Sequence, residues 1–599
     1  MVGNATSIGD SEVRSDLARE LFHVDGTDIK IGIISTSFNA LSGLESDVNS
    51  GDLPGKENPL GETTPVTNLK DIPSSSPFAN DEGRAIAQII HDIAPGAELS
   101  FRTVFNNEGK KLSEVNEESF AKAVSALREE EVNIIINDSI FPAPFFQDGV
   151  AAKAVQNATN NGIAFISATG NNDNASYASN FRSGESFSVG EAVFEAHDFD
   201  PGKGIDIFQD IAIKENGTLV RPVLSWDEPI GNVESNYEMF LLNSPELPNE
   251  ENIVSVSNIP SRSALDDPLR SLSYEPEKGE ELYLLLARTG TDSQQSNKIK
   301  WISLASGLDR STTYEYIDQD SLNRTVFGQA NAPTSITVGA SDVDNPQEVR
   351  TYTSRGSSPI LFDSEGTRLA SPALRNKPEI FAPDGVETTF SSGTPFNPFV
   401  GTSASAPHVA GVVALMLERA GGNLSPERVS SVLQATSLPT TQNGGFVQAN
   451  RAITESFLSA YTGSEANDVL LGTSFADNLY GKEGADLLIG NERKDYLVGG
   501  SGTDILAGGT GDDALLGGDD SNILLGEKGE DTFILESGGF SFVSDFEIGR
   551  DSLVFSGMEN AQNLTLSQEA NDTLIRYSGD IVARLFDAEI QNNSDITFI

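Results

Sequence analysis

Apolar residues recur along this chain on three different periods, and each predicts a different kind of element. Residues 27–38 (TDIKIGIISTSF), 133–140 (NIIINDSI) and 163–168 are short, nearly continuous apolar runs, which predict strands buried on both faces. Between and after them, 81–92 (DEGRAIAQIIHD), 118–128 (ESFAKAVSALR) and 149–161 (GVAAKAVQNATNN) carry the 3.6-residue period of amphipathic helices. Strands alternating with helices predict a parallel sheet in an α/β domain. Residues 332–340 (APTSITVGA) resume that rhythm after a long interruption. The interruption, 191–325, reads differently: VRPVLSW, YEMFLLN, IVSVSNI, LYLLLA and KIKWISL are short runs separated by Pro, Asn, Asp and Gly turns. That pattern predicts a β-sandwich inserted into the α/β domain.

From Gly463 onward the period becomes nine. Copies begin at Gly463, Gly472, Gly481, Gly490, Gly499, Gly508, Gly517 and Gly526. Five positions into each stands Asp468, Asp477, Asp486, Asp495, Asp504, Asp513, Asn522 or Asp531. Two further on comes Leu470, Leu479, Leu488, Leu497, Leu506, Leu515, Leu524 or Phe533. The regular apolar position excludes a flexible Gly/Asp linker and predicts stacked turns around a leucine core. The array resembles the calcium-binding nonapeptide repeats of RTX proteins, which implies a parallel β-roll holding Ca2+ through Asp468, Asp477, Asp486, Asp495, Asp504, Asp513 and Asp531. Stacked carboxylates repel, so the roll is expected to need its ions to fold. Gly490-Asn491-Glu492-Arg493-Lys494-Asp495 has lost its inner glycines and gained two basic residues, so weaker binding is expected there.

A fourth apolar stretch is helical and buried all round: Val409 to Leu417, ending at Glu418, Arg419 and Gly421-Gly422. It opens on Gly401-Thr402-Ser403-Ala404-Ser405-Ala406-Pro407-His408-Val409-Ala410-Gly411, which places Ser403 at the positive end of a helix dipole. Pro407 is expected in the first turn, where its missing N–H costs nothing.

These eleven positions resemble the nucleophile motif of subtilisin-like serine peptidases. The likeness extends to Ala168-Thr169-Gly170-Asn171, to Lys377 through Val386 and to Ile93 through Leu99, so it covers residues 12–190 and 326–455. It implies Ser403 as nucleophile and the Asn171 amide as oxyanion donor. The usual histidine and aspartate are absent: Glu82-Gly83 stands at the histidine's place, and the first strand ends Ile34-Ser35-Thr36-Ser37. His23, His91, His197 and His408 are the chain's only histidines, and none is placed for the role. A glutamate in place of histidine resembles the sedolisins, which implies Glu82 as general base. Their partner aspartate lies four residues on, where this chain has Ile86. Asp138, after Ile134-Ile135-Ile136 at the carboxyl end of a strand, is the candidate partner. Asp81 and Glu82 also suit any helix N-terminus, and Asp138 suits a strand-end turn.

The resulting organisation is multidomain: a subtilisin-like catalytic domain (1–190 and 326–455), the inserted β-sandwich (191–325), the β-roll (463–540), and a C-terminal β cap with secretion signal (541–599). Composition narrows the partners. Asp and Glu number 89 against 39 Lys and Arg, a formal charge of −50, which argues against nucleic acid and anionic membranes and for cations. There is no cysteine, hence no disulfide and no thiolate chemistry. No apolar run reaches the length of a transmembrane helix, and the N-terminus has neither a basic nor an apolar leader region. Export is therefore expected through a bacterial one-step channel reading the C-terminus, which closes Ile596-Thr597-Phe598-Ile599. Two functional classes follow: a secreted, calcium-binding serine endopeptidase, or a pseudopeptidase kept as a calcium-dependent extracellular scaffold or adhesin.

Overall fold

The computed structural model describes residues 7–173, 175–202, 204–215, 219–259, 267–289, 298–304, 312–317, 324–422, 424–460, 462–472, 477–556, 558 and 563–590. The C-terminal Ile596–Ile599 and the close of the expected secretion signal lie outside them. The chain divides into two compact units, Met1–Leu415 with Ser425–Ala452, and Met416–Leu424 with Ile453–Ile599.

The first unit is built on a parallel sheet. Its order is Thr67–Lys70, Glu98–Thr103, Lys30–Ser35, Ile134–Asn137, Ala164–Ala168, Ile336–Asp342, Ile380–Asp384 and Gly445–Phe446, all parallel, with Leu438–Pro439 antiparallel at the edge. The apolar runs occupy its centre because strands covered by helices on both faces must be apolar on both. Ile31, Ile33, Ile34, Ile134, Ile135 and Ile136 are fully buried. From Lys30–Ser35 the chain passes through the helix Glu82–Ile93 to Glu98–Thr103 on one side, and later adds Ile134–Asn137 on the other. That reversal is a topological switch point, where the carboxyl ends of Lys30–Ser35 and Ile134–Asn137 open a crevice.

Two further antiparallel sheets share one core in this unit. One orders Leu269–Ser271, Pro222–Trp226, Lys298–Ser303 and Ser176–Asn180; the other is built around Tyr237–Leu242 and Glu281–Thr289. Trp226, Trp301, Tyr237, Leu224 and Leu284 from both sheets pack together between them. These sheets start before the expected boundary at 191. Ser176–Asn180 pairs with Lys298–Ser303, and Ser183–Val189 pairs with Ala192–His197. The polar alternation of 183–189 belongs to an exposed strand face rather than to the α/β domain.

In the second unit the strands from Val469–Leu471 to Thr532–Glu536 pair in parallel at a spacing of eighteen residues. Leu488 lies beside Leu506 and Leu506 beside Leu524 in one sheet, with Leu479, Leu497 and Leu515 in register in the other. Nine residues therefore make half a coil, and the repeat leucines from Leu479 to Leu524, with Phe533, are fully buried between the two sheets. The parallel ladder continues beyond the expected limit at 540. Gly539–Val543, Ser552–Ser556 and Asp580–Leu585 extend it although the glycine period has ended. Buried Phe533, Val543, Leu553 and Leu585 take over the core positions.

Candidate active site and calcium array

The helix Thr402–Arg419 presents Ser403 in its first turn, and Gly401 enters it at φ 114°, a conformation that favours glycine. Pro407 is the sixth residue of this helix rather than part of its first turn. Its missing N–H is the one that would have bonded the Ser403 carbonyl. His408 is fully buried and donates from Nδ1 to the Ala404 carbonyl at 2.8 Å, a structural position.

Glu82 opens its own helix after Asp81, which adopts φ 58° and accepts the N–H groups of Ala40 at 2.8 Å and Leu41. Gly83 lets this helix lie against the sheet: a Cβ there would meet the Phe101 ring at 2.4 Å and the Ser37 carbonyl at 2.9 Å. Further along, Arg84 pairs with Asp47, and Gln88 donates to Asp47 at 2.8 Å and to Thr389 Oγ1 at 2.7 Å. Glu82 is thereby held beside the end of the Lys30–Ser35 strand, and Asp138 follows directly on the neighbouring strand.

The structure brings Ser403, Glu82, Asp138 and Asn171 to the lining of one cleft of about 280 Å³. Asn80 Nδ2 lies 3.5 Å from Glu82 Oε2, and the Asp138 carboxyl and the Ser403 hydroxyl stand close enough to favour the Glu82 charge. Withdrawal from water raises Glu82 above the ordinary carboxylate range against those donors. Asp138 is raised further, first by the same desolvation and then by the Glu82 charge beside it. Two neighbouring carboxyls share one proton, and the stronger upward displacement of Asp138 leaves it there. Asn171 Oδ1 accepts from the Thr402 N–H at 3.0 Å and the Thr402 hydroxyl at 3.1 Å, which turns its Nδ2 the other way. Thr402 Oγ1 in turn accepts from the Gly170 N–H at 3.2 Å. No histidine is among the described residues lining the cleft.

Three residues of this network escape the sequence reading. Ser35, fully buried at the strand end, donates its hydroxyl to Asp138 Oδ2 at 3.0 Å. Asn80 accepts the Glu82 N–H at 3.1 Å and the Thr36 hydroxyl. The available signal was position: Ser35-Thr36 closes one strand of the switch point as Asp138 follows the other.

In the array, each aspartate caps the coil before it. Asp486, Asp495, Asp504 and Asp513 accept through Oδ1 the backbone N–H of Asp468, Asp477, Asp486 and Asp495, at 2.7, 2.7, 2.8 and 2.7 Å. Their Oδ2 atoms are buried with no hydrogen-bond partner. Asn522 shows what those oxygens face: its Nδ2 donates to the carbonyls of Gly518 at 3.3 Å and Asp519 at 3.0 Å. An aspartate in that slot sets an oxygen against those carbonyls, an arrangement that a bound cation, or a proton on the carboxyl, satisfies. Among the described residues no three acidic or histidine side chains converge on one point, so such a set relies on backbone carbonyls as well. Each repeat begins with glycine because a Cβ at Gly490, Gly499 or Gly508 would lie 2.4 Å from Oδ2 of Asp495, Asp504 or Asp513. Asn491 and Arg493 hold φ 78° and 70° where the next copies place Gly500 and Gly502, or Gly509 and Gly511.

Comparison with known proteins finds a match for both regions. The family model for subtilases matches residues 287–474, and the model for RTX calcium-binding nonapeptide repeats matches 462–497 and 498–533. The α/β unit has a subtilase-family serine-peptidase fold. The repeats bind Ca2+. No curated protein matches the chain. Among solved structures, the CspB protease of Clostridium perfringens is similar at 13% identity, covering 75% of this chain and 97% of its own, with a TM-score of 0.48. The prenylagaramide maturation protease PagA is 15% identical, covering 74% and 98%, with a TM-score of 0.36. A cold-adapted subtilisin-like serine proteinase is 12% identical, covering 71% and 90%, with a TM-score of 0.32.

Proposed function

We propose that the protein is a secreted serine endopeptidase of sedolisin-like chemistry, with Ser403 as nucleophile and Glu82 in place of the usual histidine. The observation that carries this reading is the convergence of Ser403, Glu82, Asp138 and Asn171 on one cleft whose described lining holds no histidine. Glu82, ionised, takes the Ser403 proton as the oxygen attacks the scissile carbonyl, and passes it to the departing amine. Asp138, protonated, holds Glu82 in place and stabilises its charge. The oxyanion is held by the Asn171 amide and the Ser403 N–H, since the N–H groups of Thr402, Ala404 and Ser405 are bonded to Asn171 and Gly401. Water, deprotonated by the same carboxylate, then releases the acyl group and restores the serine.

The shared core between the two antiparallel sheets supports reading the insert as a β-sandwich. The eighteen-residue parallel pairing and the orphaned aspartate oxygens support a calcium-dependent β-roll at 463–540. Export through a one-step channel accords with the RTX repeats; among the described residues no helix is long and apolar enough to cross a membrane. The second reading, a pseudopeptidase scaffold, draws on the absent histidine and aspartate. Hydrolysis of casein by the calcium-loaded chain, with Ser403→Ala as control, separates the two: turnover lost with Ser403 supports the peptidase, and none in the wild type supports the scaffold.

A further inference from the structure

The insert reaches the cleft. Leu304, directly after the strand Lys298–Ser303, lines it together with Ile140 and Phe327. The Leu304 N–H donates to the Arg221 carbonyl at 2.9 Å, which fixes it to the inserted sheets. Its side chain is only 8% exposed and belongs to an apolar cluster joining Val223 and Ile302 of the insert to Phe145, Phe146 and Phe327. Phe145 and Phe327 meet edge to face at 4.9 Å, and Ile140 packs on the same cluster. The seam is also tied by polar contacts: Ile230 N–H to Gln147 Oε1 at 2.8 Å and Arg368 to the Asp227 carbonyl at 2.7 Å. The insert is therefore seated on the segment that follows Asp138. Among the described residues lining the cleft, Glu82 and Asp138 alone are ionisable, and they share one proton. A charged substrate side chain against the Ile140–Leu304–Phe327 wall would lose water without gaining a partner, whereas an apolar one gains by burial.

We propose that the insert is a specificity element, whose Leu304 sets the size of the apolar side chain accepted beside the scissile bond. The inference rests on the peptidase reading. Its test compares the calcium-loaded wild type, Leu304→Ala and Leu304→Val on a peptide series varying Ala, Leu, Phe, Trp, Lys and Glu at each position flanking the cleaved bond. Val256→Ala, on an exposed strand of the insert, serves as control. Shortening Leu304 is expected to shift the kcat/KM ratio of the larger over the smaller apolar residues upward by about ten-fold at one position, more for Ala than for Val, since one methylene is worth roughly 10- to 200-fold in discrimination. Val256→Ala should leave the profile unchanged. Leu304→Val removes one methylene and keeps the test decisive should Leu304→Ala fail to fold. An active wild type whose profile is unmoved by either folded variant overturns this inference alone. A wild type that cleaves no peptide in the series overturns the peptidase reading and this inference with it.

Discussion

Ser35, Asp138, Glu82 and Ser403 stand in one line at the cleft, and each member constrains the next. Ser35 donates to Asp138 Oδ2 at 3.0 Å and Ser139 to Oδ1 at 3.5 Å, which together fix the carboxyl beside Glu82. Ser35→Ala is expected to lower kcat about ten-fold with KM unchanged, and Ser35→Thr to restore most of it. A matching rise in KM would assign Ser35 to substrate binding instead. Asn171→Ala should lower kcat by roughly 10²- to 10³-fold without unfolding the chain, because its carbonyl already anchors Thr402 and its amide is the proposed oxyanion donor. An unchanged turnover would move the oxyanion hole elsewhere. Glu82 and Ser403 were legible because motif and helix start coincide. Asp138 was legible because a carboxylate after an all-isoleucine strand needs a polar partner. Ser35 and Asn80 were not, since a serine after a strand and an asparagine before a helix are also ordinary caps and turns.

At the level of elements, the apolar periods located the parallel strands and helices closely, because covered strands and amphipathic helices write their burial into composition. The insert boundary moved earlier because Ser176–Asn180 and Ser183–Val189 pair with strands far along the chain, and long-range pairing leaves no local signature. The roll ran past 540 for a related reason: aromatic and branched core residues replaced the glycine period while the coil continued. Within the roll, burial raises Asp495 to about 8 and Asp513 and Asp531 to about 6, against ordinary values near 4. The ion-free folded array therefore favours protonated carboxyls. That contribution is complete below pH about 4 and is lost as pH rises through 6 to 8. In chelator, amide exchange in Asn478–Glu536, corrected for its intrinsic rate, should be well protected near pH 4.5 and poorly at pH 8, while calcium restores protection at pH 8. Equal protection at pH 8 with and without calcium would contradict a calcium-driven roll.

Over the whole molecule the charge of −50 and the repeats act together. On the proposed export route, unneutralised carboxylates at low calcium would oppose compaction of the array and suit passage of an extended chain through a narrow channel, and calcium outside would drive folding. Removing residues 591–599, which lie outside the described residues, should trap the protein in the producing cell, as assayed by its distribution between cells and medium. Undiminished release would refute a C-terminal signal in that segment.

The central claim is that a carboxylate, not a histidine, takes the serine's proton. Desolvation raises Glu82 above ordinary carboxylates and Asp138 further, so the active form carries one proton on the pair. The decisive measurement is the pH dependence of kcat/KM for the calcium-loaded wild type and Glu82→Gln on one peptide. The wild type should give a bell whose acid limb follows ionisation of the pair's first proton and whose alkaline limb follows loss of the second, and Glu82→Gln should fall by about 10²- to 10⁴-fold at every pH. A Glu82→Gln enzyme with wild-type turnover and the same bell would contradict the account.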